Sequence, residues 1–265
     1  MNVKVVSHNF PKLLYLMRAE IRMRYYSIRT EETYLDWTRR FILFHNKRHP
    51  KDMRADEVQA FLSHLAVERN VSSSTQNQAK SALLFLYRDV LHIGLHWLDE
   101  VISAKMGKCL PVVLTQTEMR SLLNAMSGTM RLVASLLYGM GMRLLEGLRL
   151  RVKDIEFERR EIIVNEGKGN KDRVTVLPEI LILPLQAHLA KVKALHERDI
   201  DAGFGEVFMP NALAVKYPKA ARSWGWQFVF PSVVRSIDPR SGIERRHHLY
   251  EASVQRAVRE GAKIA

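Results

Sequence analysis

Apolar positions recur at helical spacing through the first hundred residues. Leu13, Leu14, Leu16, Met17 and Ile21 mark one helix. A second follows Thr30, with Tyr34, Trp37, Phe41, Ile42 and Phe44 before Pro50; Glu31 and Glu32 suit a helix N-terminus, where the peptide dipole favours negative charge. Residues 55–69 place Val58, Phe61, Leu62 and Leu65 on one face. Ser72-Ser73-Ser74-Thr75 then supplies N-cap candidates for a helix running through Leu83, Leu84, Leu86, Tyr87 and Leu91. The pattern predicts four helices with short connections.

The pattern changes after residue 105. Residues 106–112 read as a linker carrying Gly107 and Pro111, and Thr115 with Glu118 forms a T-x-x-E capping box that opens a new helix. Domains are therefore expected at 1–105 and 113–265. Residues 130–138 read as a buried helix ended by Gly139 and Gly141, and a short helix follows over 143–150. Period-two alternation comes next, at Ile155 and Phe157, then Ile162 and Val164, resuming at Val174, Val176 and Leu177. Gly167, Gly169 and Asn170 supply the positive-φ positions of a hairpin turn. A helix is predicted over 179–200 and an irregular stretch over 203–242, with Pro210, Pro218, Pro231 and Pro239. A final helical pattern closes the sequence.

Charge narrows the partner. The 265 residues hold 41 Lys plus Arg against 28 Asp plus Glu, a net +13. Residues 1–105 carry 16 basic against 11 acidic residues and residues 106–265 carry 25 against 17, so both halves are basic. Such a surplus favours a polyanion, because neutralised phosphates release counterions; by itself it does not choose between DNA, RNA and an acidic membrane surface. Cys109 is the single cysteine, which excludes an intrachain disulfide and a cysteine-cluster zinc site. No apolar run approaches the length of a membrane span, and the first residues lack the apolar stretch of a signal peptide. A soluble, basic, cytosolic protein is the expectation.

Two clusters could carry chemistry. In LLYGMGMRLLEGLRLRVKDI, residues 136–155, Arg143 opens a helix where free N–H groups already favour an anion, and Glu146 lies one turn on. The guanidinium could grip a phosphate with Glu146 steadying it; the pair is equally an ordinary surface ion pair. In the hairpin EIIVNEGKGNKDRVTVL, residues 161–177, Lys168 sits on the turn, where it could donate a proton or hold a phosphate, or simply be solvated.

Together these motifs are specific. G-x-G-x-R-x-x-E, then L-R-x-x-D-I, then a hairpin with G-K-G-x-K-x-R about 25 residues after the arginine resembles the catalytic domain of tyrosine recombinases. RYYSIRTEETYLDWTRRFILFH and the later S-x-x-T-Q-N-Q-A-K-S-A-L-L-F-L-Y resemble the helical core-binding domain of phage-integrase-like enzymes. NALAVKYPKAARSWGWQFVFPS with DPRSGIERRHH, within residues 211–248, resembles the extra segment of integron integrases, an insertion placed at about 200–230.

The resemblance implies a mainly α fold with a small antiparallel β-sheet: an N-terminal four-helix, SAM-like core-binding domain and an incomplete α+β catalytic domain. It implies a homotetramer on DNA, exchanging strands through a phosphotyrosyl intermediate without metal or nucleotide cofactor. Arg143 matches the first phosphate-binding arginine, Lys168 the lysine that protonates the leaving oxygen, and Glu146 a supporting acid. The implied partners are a double-stranded attachment site and a folded single-stranded cassette site whose flipped-out bases need flat surfaces to stack on. Trp226, Pro239 and His248 match those surfaces, with His247 and Trp224 beside them, and Lys171, Arg245 and Arg246 are further DNA-binding candidates. For the tryptophans, core packing competes with that reading. His247 and His248 lack a third ligand for a metal.

The family's H-x-L-R-H segment, with its second arginine, and its tyrosine nucleophile have no counterpart here. The H-x-x-R formed by His45 and Arg48 falls in the helical domain, and none of the eight tyrosines has a nucleophile context. The expectation is a C-terminally truncated recombinase that binds DNA without cleaving it. The alternatives are a binding-only or dominant-negative module, and an unrelated basic nucleic-acid-binding protein in which these matches are accidental.

Overall fold

A computed structural model describes residues 10–94, 112–165, 172–209, 211–239 and 241–265. The expected linker lies almost wholly outside the described residues. So does the hairpin turn with Gly167, Lys168, Gly169, Asn170 and Lys171. The chain divides into two compact units, Met1–Pro111 and Val112–Ala265.

The first unit is helical. Helix α1 (Phe10–Met23) buries Leu13, Met17 and Ile21 at four-residue spacing. Helix α2 (Ile28–Phe44) starts ahead of Thr30, correcting the expected start. The Ser27 hydroxyl accepts from the Thr30 backbone N–H at 3.1 Å, so Ser27 is the cap and Thr30 lies in the first turn. Glu31 on that turn is buried, and its carboxylate accepts from Arg22 at 2.9 and 3.0 Å, which ties α1 to α2. Helix α3 (Ala55–Val67) follows. Helix α4 (Ser73–Phe85) is capped by Ser72 and passes into a π-helical turn over Leu86–Val90, so the expected run to Leu91 is not all α-helix. The wider turn leaves both Leu86 and Tyr87 buried. Phe41 centres this core, edge-on to Phe61 at 5.5 Å and to Tyr87 at 6.4 Å.

In the second unit, α5 (Gln116–Ala125) carries the expected box: Thr115 N–H donates to Glu118 at 2.8 Å and Glu118 N–H to the Thr115 hydroxyl at 3.3 Å. Helix α6 (Gly128–Met140) ends at Gly141, whose φ of 60° is the left-handed cap. Gly139 lies inside this helix rather than ending it; a Cβ there would stand 3.1 Å from Pro178 Cγ. Helix α7 (Leu144–Leu148) leads through a 3-10 turn, Val152–Asp154, into β1 (Ile155–Glu156), β2 (Glu161–Val164) and β3 (Arg173–Val176). These form an antiparallel sheet in the order β1-β2-β3, with Ile162 opposite Thr175 and Val164 opposite Arg173.

Helix α8 (Glu179–Asp201) covers Leu181, Leu185, Leu189 and Val192. The stretch expected to be irregular contains short regular pieces. They are α9 (Asn211–Lys216), 3-10 turns at Pro218–Arg222 and Trp224–Trp226, and a hairpin of β4 (Ser236–Ile237) and β5 (Glu244–Arg245). Proline starts the Pro218–Arg222 turn locally, and the other pieces are too short to show an apolar period, which is why periodicity missed them. Helix α10 (Glu251–Ile264) packs on α5, with Gly261 buried against Leu122 and Met126. Leu136, Leu148, Leu150, Ile162, Val164, Leu185, Val229 and Phe230 form the main core. Among the described residues no helix is long and apolar enough to cross a membrane.

Candidate active site

Arg143 is the N-cap residue of α7 and leaves 57% of its side chain exposed, while the Glu146 side chain is 7% exposed. One Glu146 oxygen accepts from the Arg143 backbone N–H at 2.9 Å, an otherwise unpaired donor of the helix start; the other accepts from the Arg143 guanidinium at 2.7 Å. Arg143 is thus fixed at its base and open at its tip, with donors left for an anion.

Glu146 also holds a second arginine. Arg173, the first residue of β3, donates to its two oxygens at 2.7 and 3.1 Å. The Arg173 hydrogen bonds outweigh burial and bring the Glu146 carboxyl down to about 2, with Arg143 adding to the effect. Arg173 closes the G-K-G-x-K-x-R pattern, yet no role was expected of it. The available signal was that register: in an antiparallel hairpin it places Arg173 opposite Val164, level with the ends of the hairpin turn. Lys168 and Lys171 on that turn lie outside the described residues.

A second acidic hub lies eight residues on. Asp154 is buried, and its carboxylate accepts from the Arg151 N–H at 3.0 Å, Lys153 Nζ at 2.9 Å and Asn165 Nδ2 at 2.9 Å. Asn165 directly follows β2, so the same carboxylate ties the end of that strand to the segment after α7.

The aromatic and histidine candidates divide. Trp226 is half-buried, with Lys153 Nζ 4.5 Å from its ring centre. Trp224 is half-buried against the main core and faces the His196 ring at 6.1 Å. His247 keeps much of its surface in solvent and lies 4.1 Å from His248, ring centre to centre. Both rings lean on Phe228, at 5.4 and 5.5 Å. Desolvation by the surrounding chain pushes the His247 imidazole down to about 4, helped by the neighbouring His248 and Arg149. His248 is also lowered, chiefly by burial, and its Nδ1 lies 2.8 Å from the Leu249 carbonyl oxygen. Both imidazoles are therefore neutral at pH 7, the form in which an aromatic face stacks without charge. Pro239 is exposed at the tip of the β4–β5 hairpin.

The two adjacent arginines are engaged by protein groups. Arg246 donates to both Asp199 oxygens, at 2.6 and 2.8 Å, and to the Ser232 and Val233 carbonyls. Arg245 donates to Asp238 at 3.1 Å. Among the described residues no group of three or more His, Cys, Asp or Glu side chains is placed to hold a metal.

This mainly helical architecture, with its small antiparallel sheets, is shared with a lambda integrase dimer bound to a COC′ core site. That match has a TM-score of 0.60 and 15% identity, and covers 96% of this chain and 78% of that one. A lambda integrase tetramer bound to a Holliday junction matches with a TM-score of 0.56 and 14% identity, over 98% of this chain and 64% of that one. The model of the phage integrase N-terminal SAM-like domain matches residues 13–97, and that of the phage integrase family matches residues 112–264. An integrase/recombinase from Escherichia coli is 48% identical over 254 residues, 96% of this chain and 75% of that protein. The chain belongs to the phage integrase family.

Proposed function

We propose that this chain is a site-specific tyrosine recombinase of the integron integrase type, acting on double-stranded attachment sites and on folded single-stranded cassette sites. The observation that carries the recombinase reading is Glu146. One buried carboxylate fixes Arg143 at a helix start and Arg173 at the hairpin base, so two guanidiniums flank the hairpin that bears Lys168. Arg143 then binds the scissile phosphate, where donors already in position stabilise charge as it develops. Glu146 holds Arg143, and Lys168 matches the lysine that protonates the leaving oxygen where the family cuts a strand. The integron assignment is supported by the segment around Trp226 and His247, where flat neutral rings stand ready to stack on an extrahelical base. Assembly as a tetramer on DNA is supported by the fold shared with the junction-bound lambda integrase.

We infer that these residues bind such sites, and that the His45–Arg48 motif and the buried tyrosines among them do not cut. The H-x-x-R of His45 and Arg48 is occupied structurally: Arg48 donates to Glu57 at 2.6 Å, and His45 Nε2 lies 2.9 Å from the Glu57 carbonyl oxygen. Burial raises the Tyr87 and Tyr34 phenols, opposite to what a nucleophile needs. A binding-only module is the second reading, favoured by the same two observations.

The test pairs a gel shift with a denaturing gel. A folded single-stranded cassette hairpin is expected to shift at lower protein concentration than a scrambled hairpin, with no covalent adduct. Equal shifts for the two hairpins would overturn the integron assignment, and an adduct would overturn the absence of cleavage.

A further inference from the structure

The rings expected to meet DNA are not independent. The Arg151 guanidinium lies 4.4 Å from the Phe228 ring centre and 5.6 Å from that of Trp226. It donates to the Trp226 carbonyl at 2.6 Å and to the Phe208 carbonyl at 2.8 Å. Its backbone pairs with Phe228 in an isolated antiparallel bridge, and Val152 N–H donates to the Gln227 carbonyl at 3.1 Å. Phe228 is buried, with His247 and His248 against its ring and Arg151 over it. The result is one continuous stack: Trp226, the Arg151 cation, Phe228, then the two imidazoles. At its foot, Asp154 joins Arg151 to Asn165 at the base of the hairpin turn.

We propose that Arg151 is a positioning residue for base recognition. It does not itself touch DNA; it fixes the Trp226 and His247 rings relative to one another, so that an extrahelical base stacks on surfaces already in place. The inference rests on the reading of Trp226 and His247 as DNA-facing. A planar fork is required, because two carbonyls are bridged by two separate N–H donors while the guanidinium carbon lies over the Phe228 ring. A lysine ammonium can keep the charge but not that geometry.

The experiment uses the full chain and two hairpins, one with a single extrahelical base and one with that base deleted. The ratio of their Kd values measures discrimination. Arg151→Lys is expected to reduce that ratio about tenfold while affinity for the hairpin without the base stays within about twofold. Phe228→Leu, which keeps the buried apolar volume and removes the ring face, is expected to reduce it as well. In Arg151→Lys the Trp226 indole N–H resonance, assigned with Trp226→Phe, is expected to move. An unchanged ratio in Arg151→Lys overturns the proposal, as does an equal loss on both hairpins, which marks a phosphate contact. If Arg151→Lys does not fold, the Phe228→Leu ratio decides in the same way. Trp226→Ala separates the two layers of argument. Loss of discrimination there with none in Arg151→Lys removes only the positioning role; retained discrimination in Trp226→Ala removes the DNA-facing reading beneath it.

Discussion

Arg173 grips both carboxylate oxygens of Glu146, at 2.7 and 3.1 Å, across 27 residues of sequence. That fork fastens the first residue of β3 to the first turn of α7. It makes the hairpin base and the Arg143 cap a single unit, and it leaves the carboxyl titrating at about 2.

The pH response of Glu146 follows from that shift. Its stabilisation is complete above the ordinary carboxyl value of 4.5 and is lost as pH falls toward about 2, because the unfolded chain takes up the proton first. Glu146→Gln is expected to cost about 2 kcal/mol at pH 7, as hydrogen bonds to charged partners are weakened. It should also flatten the acid limb of stability between those two values. Urea melts at a series of pH values measure both, and an unchanged acid limb would show that the Arg173 fork contributes nothing.

Arg246 is expected to matter for stability more than for DNA affinity. Its side chain is 13% exposed and donates to both oxygens of the buried Asp199. Arg246→Ala leaves that carboxylate with Arg235 as its ion partner among the described residues and should cost roughly 3 kcal/mol. The salt dependence of DNA binding should not change. A slope lower by about one in log Kd against log salt would mark Arg246 as a phosphate contact instead.

Gly261 sets how closely α10 approaches α5. An added Cβ would stand 2.9 Å from Met126 Cγ and 3.1 Å from Leu122 Cδ1. Gly261→Ala gains up to about 1 kcal/mol of helix propensity against an overpacking cost of about 1–3 kcal/mol. The net expectation is a loss near 1 kcal/mol, or roughly 3 °C in Tm for a unit of this size. A Tm that rises would show the interface yielding without strain.

His247 should titrate near 4, well below the ordinary 6.5, in an NMR pH series on the free chain. Because the unfolded chain binds this proton more readily between those values, the contribution of His247 to stability falls as pH drops from 6.5 toward 4. A midpoint at the ordinary value would mean that the ring is solvated and the contacts with His248 and Phe228 are not formed.

Much of this was legible along the chain, for a local reason. Helix periodicity at Met17 and Ile21, the Thr115–Glu118 box and the strand alternation at Ile162 and Val164 each depend on neighbours within a few residues. The motif containing Arg143, Glu146 and the hairpin pointed to the family because those groups sit close in sequence. The start of α2 was misplaced because Ser27 and Thr30 can both cap, and only the backbone geometry chose between them.

What tertiary structure decided lies in the long-range pairs. Sequence places Arg173, Arg246 and Arg151 in basic stretches, where any of them could face DNA. Folding separates them by what each side chain reaches: a carboxylate 27 residues back, another 47 residues back, and two carbonyls 57 and 75 residues ahead. A charged side chain carries no periodicity that names its partner, because the partner is set by how helices and turns pack. The sequence by itself determined the long helices, the strands of the three-stranded sheet and the family; the packed chain decided which cations are bound internally and which, like Arg143, keep an open tip.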